Sequence, residues 1–160
     1  MKEGSYNIGE LLKIEGIWWL ITAVVILLLM TPIYTGMGMN YPFYVSNIIF
    51  IVVFITFTRY MFLMRFTFFS HITWIKAVLI FLPIPIFFYA MDALYDFQRF
   101  LDEDGLIGLM GNLSVDQQYG LAKYIRYENL FFGTGAMVTI IMLPIRMVVS
   151  IWRVRNRGTV

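Results

Sequence analysis

GIWWLITAVVILLLMTPIYTG, residues 16–36, contains no charged side chain. A helix needs about 20 apolar residues to cross the ~30 Å hydrocarbon core of a bilayer. The stretch does not alternate polar with apolar residues, so it does not read as a strand of a membrane barrel. Three further segments share its character: FYVSNIIFIVVFITFTRYMFL (43–63), ITWIKAVLIFLPIPIFFYAM (72–91) and NLFFGTGAMVTIIMLPIRMVVSIW (129–152). The expected fold is an all-α membrane protein, one domain over residues 1–160, with four transmembrane helices in two antiparallel hairpins.

Composition agrees. The chain is 60% hydrophobic and 14% charged, against about 45–50% and about 25% in soluble domains. Its 15 Phe, 10 Tyr and 4 Trp suit lipid-facing helices and interfacial belts. With no cysteine, disulfides, thiolate metal sites and thiol redox chemistry are excluded. The opening MKEGSYNIGELLKIEG is too long and too acidic for a signal-peptide n-region, so the first span reads as a retained helix.

Charge sets the expected orientation. Lys2, Lys13, Arg59, Arg65, Lys76, Arg146, Arg153, Arg155 and Arg157 fall on the side of the termini and the second connection, nine of the 12 bases. The other side holds Arg99, Lys123 and Arg126. The positive-inside rule then makes both termini cytoplasmic.

Helix-compatible residues continue past the third span through YAMDALYDFQRFLDED, up to Gly105, a natural left-handed helix end. SVDQ, with Ser114 as N-cap and Gln117 three residues on, reads as a capping box that starts the fourth helix outside the membrane. Helices three and four are therefore expected to extend beyond the outer leaflet as a helical hairpin over about 92–128. Within it, Asp92 and Asp96 lie at the level of Arg126 and Lys123, which suggests cross-helix ion pairs. Asp102, Glu103 and Asp104 stand at the helix end whose dipole disfavours acids. Beside them, the loop GLIGLMG offers Leu106, Ile107, Leu109 and Met110. An apolar cluster rimmed by charge reads as a partner-docking surface; the alternative is a loop folded back on the protein or the leaflet. Asp102 and Asp104 come nearest to a metal site, but lack the calcium-loop pattern. No metal or cofactor is expected.

Inside the spans, Arg59, Lys76 and Arg146 lie within reach of the inner boundary, and Glu15 is placed to pair with Arg59 or Lys76. No Asp, Glu or His falls at a span centre. The central polar groups are Thr22, Asn47, Thr56 and Thr139, for which helix packing is the default role. Gly133, Gly135, Ala136 and Thr139 make a small-residue face for close helix approach. Pro83 and Pro85 place a kink in the third span. His71, the single histidine, reads as an inner-interface residue, and Asn112 begins a glycosylation sequon.

No phosphate loop, dinucleotide fingerprint, nucleophile elbow or zinc-protease motif is present. The primary expectation is a non-catalytic accessory or scaffold subunit of a larger integral membrane complex. Its partners would be the lipid bilayer and other membrane subunits or further copies of itself, not nucleic acid. The alternatives are a homo-oligomeric channel or transporter component with an acidic outer vestibule, and a metal-dependent membrane-surface enzyme using Asp92, Asp96, Asp102 and Asp104.

Overall fold

The computed structural model describes residues 8–63, 73–111 and 113–156. His71 and Asn112 lie outside the described residues. These described residues form five α-helices in order: α1 (Ile8–Met37), α2 (Tyr44–Phe62), α3 (Thr73–Phe81), α4 (Pro83–Glu103) and α5 (Val115–Asn156). Short 3-10 turns at Gly38–Asn40 and Ile107–Leu109 occupy two connections, and no strand occurs among the described residues. Among the described residues, four helical stretches are long and apolar enough to cross a membrane: Gly9–Asn40, Tyr44–Phe62, Ala77–Glu103 and Val115–Arg153.

The third span is not one continuous helix. It divides at Leu82, between α3 and α4. Pro83 and Pro85 carry no N–H, so the carbonyls of Leu79 and Phe81 lose their helical donors. Leu82 nevertheless keeps helical dihedrals (φ −53°, ψ −38°), and its N–H still bonds the Val78 carbonyl at 2.9 Å. The ladder is interrupted without the backbone unwinding. Pro144 behaves differently. It lies inside α5, which runs unbroken for 42 residues, about 63 Å at 1.5 Å per residue. Helices packed in a membrane protein tolerate such a proline when neighbours steady the turn.

The ends of α4 and α5 form where local chemistry directs. Gly105 adopts φ +70°, and its N–H reaches back to the Phe100 carbonyl at 2.9 Å. At the start of α5, the Ser114 N–H donates to Gln117 Oε1 at 3.1 Å, one arm of a capping box. Gln118 then donates to the carbonyls of Met110 (3.1 Å) and Leu113 (3.0 Å), tying the connection to the helix. A Cβ at Gly105 would meet nothing within 4 Å, so backbone conformation alone should penalise a side chain there. Gly105→Ala is expected to lower stability by about 1–2 kcal/mol, with Gly105→Asn less harmful; thermal unfolding of both variants checks this.

Two apolar clusters hold the helices together. The first joins α2, α3, α4 and α5 through Phe50, Phe57, Leu79, Leu94, Ile140 and Leu143. The second gathers Met30, Ile33 and Met37 of α1, Ile51 of α2, Phe97 of α4 and Ile125 of α5 around Leu106 and Met110. The α4–α5 connection is therefore folded into the core: Leu106 is 3% exposed and Met110 is fully buried. Each such side chain, if it would otherwise face water, contributes about 1.5–3 kcal/mol. The most extensive helix pairing is between α2 and α5.

Candidate functional site

The described residues place a cluster of polar side chains inside the bundle. Asn47 stands one turn into α2, and Glu128 and Asn129 stand together on α5. Asn47 and Asn129 are fully buried, and Glu128 is 6% exposed. Asn47 Nδ2 donates to Glu128 Oε2 at 2.6 Å. Asn129 Nδ2 donates to the hydroxyl of Tyr41, in the α1–α2 connection, at 3.5 Å. Burial pushes the Tyr41 phenol well above its ordinary range; the hydrogen bond from Asn129 opposes this and the charge of Glu128 adds to it. Tyr41 is thus a neutral phenol, packed edge-on against Phe43 and Tyr44. Nearby, Tyr124 donates to the Leu29 carbonyl at 3.0 Å, tying α5 to α1.

Sequence reasoning missed this cluster. It gave Asn47 a helix-packing role and did not single out Glu128. The signal lay in the phase of α5. The buried positions Leu143, Ile140, Ala136, Asn129 and Ile125 form one helical stripe, and Glu128 extends it.

A second polar site joins the opposite end of α2 to α1. Arg59 Nη1 bonds Glu15 Oε2 at 2.7 Å, with the two side chains 5% and 13% exposed. The guanidinium lies 5.4 Å from the Trp18 ring centroid and 5.6 Å from that of Tyr60. Of the two partners expected for Glu15, Arg59 is bonded to it; the Lys76 side chain lies outside the described residues. Arg146 Nε donates to the Met61 carbonyl at 3.1 Å, serving one of the free carbonyls at the end of α2.

The acids of the α4–α5 region are arranged otherwise than expected. Asp92, Asp96, Lys123 and Arg126 are all exposed, and no ion pair joins the two aspartates to the two bases. Among the described residues the ion pairs are Glu15–Arg59 and the exposed Arg99–Glu103, at 3.2 Å. Facing outward on neighbouring helices, the expected partners do not meet. Lys123 instead lies over the Tyr127 ring, 5.8 Å from its centroid. Asp102, Glu103 and Asp104 are exposed, and Ile107 is 42% exposed, whereas Leu109 is half-buried and Leu106 and Met110 belong to the core. The apolar half of the expected docking surface is therefore largely internal. In its place, a groove of about 800 Å³ runs between the end of α4 and the start of α5, with Asp102, Asp104, Tyr119, Lys123, Arg126 and Tyr127 in its walls.

The small-residue face of α5 lies against its own neighbours. A Cβ at Gly133 would meet the Leu94 side chain at 2.6 Å, and one at Gly135 the Phe54 ring at 2.8 Å. Ala136 and Thr139 are buried, and Thr139 Oγ1 donates to the Ala136 carbonyl at 2.9 Å. Among the described residues, no three His, Cys, Asp or Glu side chains gather as metal ligands. Asp92, Asp96, Asp102 and Asp104 accordingly make no such group among the described residues.

No protein-family model, curated protein or solved structure matches this chain. The fold defines its class, an all-helical multi-pass integral membrane protein with four apolar spans.

Proposed function

We propose that this protein is a non-catalytic accessory subunit of a larger integral membrane assembly, and that the groove between α4 and α5 docks an extramembrane segment of a partner subunit. In this reading the spans form two antiparallel hairpins with both termini cytoplasmic, as the Lys/Arg distribution favours. The Glu15–Arg59 pair at one end of α1 and the Tyr44 hydroxyl bonded to the Gly38 carbonyl at the other support the first hairpin. The length of α5, about twice the ~30 Å hydrocarbon core, supports a projection of α4 and α5 beyond the outer leaflet.

One observation carries the docking reading. Asp102 and Asp104 on one wall of the groove and Lys123 and Arg126 on the other share an open cleft without an ion pair between them. Both signs of charge remain available to a bound chain, and Tyr119 and Tyr127 supply the amphipathic contacts enriched at interfaces. A polypeptide segment bearing both charges fits such a lining. The test is purification from native membranes in mild detergent, followed by mass spectrometry, of the wild type and the Lys123→Glu/Arg126→Glu variant. Both bases are exposed, so the variant should fold. A stoichiometric partner is expected with the wild type and absent from the variant. A lone monomer, or a partner held equally by both proteins, would refute the reading.

The buried Glu128 cluster favours a second reading, a component of a homo-oligomeric channel or transporter. Ion flux through reconstituted protein alone would support it over the accessory role.

A further inference from the structure

Glu128 presents an electrostatic imbalance that a docking groove does not resolve. Its carboxylate is buried, and its one hydrogen bond, from Asn47, is to a neutral amide. Neither ion pair found among the described residues involves it. Three buried atoms of the cluster have no hydrogen-bond partner: Glu128 Oε1, Asn47 Oδ1 and Asn129 Oδ1. All three are acceptors. Each asparagine directs its amide nitrogen to a neighbour in the cluster, Asn47 to Glu128 and Asn129 to Tyr41, which leaves its carbonyl oxygen free. An unpaired carboxylate and two unsatisfied amide oxygens together are strongly unfavourable in a low-dielectric interior.

We infer that Asn47, Glu128, Asn129 and Tyr41 form a binding site for a single dehydrated alkali-metal cation. The donor set is oxygen only, which suits a hard cation and gives no purchase to thiolate- or imidazole-seeking metals. Its formal charge is a single negative, because the amides and the phenol are neutral. A monovalent cation leaves the occupied site neutral, whereas a divalent cation would leave one buried positive charge uncompensated. Calcium generally takes six to eight oxygen ligands, and magnesium keeps several waters; a site with one carboxylate, whose Tyr41 packs in an apolar cluster with Phe97, Ile125, Leu106 and Met110, suits neither. The competing occupant is a proton on Glu128. It would give the carboxyl one donor and satisfy at most one of the two free amide oxygens, while the coordination shell of a cation takes several oxygens.

The ligands come from α2, α5 and the α1–α2 connection, so an occupied site would fasten α1 to the α2–α5 pair. Occupancy should therefore register as stability. The experiment uses the full-length protein in detergent, unfolded thermally in choline chloride and in lithium, sodium or potassium chloride at equal ionic strength. At least one alkali ion is expected to raise Tm saturably above the choline value. Glu128→Gln should abolish that rise, with affinity falling more than about 100-fold, beyond the range typical of supporting groups. Asn129→Ala should weaken it by about tenfold. Equal Tm values in all four salts, or an equal rise in Glu128→Gln, would overturn the inference. So would a wild-type Tm that responds to pH alone, because the occupant would then be a proton. Should Glu128→Gln fail to fold, equilibrium binding of radiolabelled sodium, with the other alkali ions as competitors, decides on the wild type. Saturable binding of one ion per chain, or its displacement by a tighter alkali ion, supports the site; binding that does not saturate overturns it.

Discussion

Replacing Arg59 with methionine is expected to destabilise the protein by about 3–5 kcal/mol. Arg59 and Glu15 are both taken from water and bound to each other at 2.7 Å. Methionine refills much of the volume but leaves the Glu15 carboxylate without its counter-charge, and breaking one side of a buried pair costs more than the pair itself supplies. Glu15→Gln should be harmful for the mirror-image reason, since the guanidinium would be stranded between Trp18 and Tyr60. The double variant Glu15→Gln/Arg59→Met removes both charges and should recover a large part of the loss. Arg59→Lys keeps the charge but not the flat guanidinium that stacks on aromatic rings, so it should fall between. Unfolding of the four variants and wild type, read as a double-mutant cycle, measures the coupling. Strictly additive losses would show that the two residues act separately.

The second large effect is expected at Gly135. A Cβ there would lie 2.8 Å from two atoms of the Phe54 ring, nearer than side chains pack. That ring is held edge-on by Phe131, at 5.7 Å between centroids, and by Phe132, at 5.6 Å, so it has little room to rotate away. Gly135→Ala gains about 1 kcal/mol of helix propensity but incurs overpacking of about 1–3 kcal/mol. Gly135→Val should be clearly worse, because its branched side chain enters the same space. Shortening the obstructing residue with Phe54→Leu should relieve Gly135→Ala. The control is Gly120, also in α5, where a Cβ meets nothing within 4 Å. Gly120→Ala should be neutral or stabilising by about 0.4–1 kcal/mol. If Gly135→Ala behaved like Gly120→Ala, the close approach of α2 to α5 would be wrong.

Legibility from sequence varied with the range of the interaction involved. The apolar runs, the turn at Gly105 and the Ser114–Gln117 arm depend on neighbours a few residues away, and reading residues in order finds them. Pairing of Glu15 with Arg59 bridges 44 positions and was still foreseeable, because a charge near a span boundary has few partners at its depth. The Glu128 cluster was not. Asn47 and Glu128 are 81 positions apart, and nothing local to YENL distinguishes a glutamate on the buried face of a helix from one a turn away in water. Expected pairing of Asp92 and Asp96 with Arg126 and Lys123 failed for a related reason: matching heights along two helices does not fix which faces meet.

What the sequence by itself determined is the class of the molecule. Hydrocarbon thickness converts apolar run length into membrane spans, and the Gly105 and Ser114 ends and the Pro83/Pro85 pair mark where helices stop, start and break, although Pro144 sits inside an unbroken helix. Only the tertiary structure decided which face of each helix is inside. That choice rests on how α2 and α5 interlock, with Phe54 seated on Gly135 and Asn47 against Glu128. The rotation of a helix about its axis is set by the shapes it packs against, and those shapes come from distant parts of the chain.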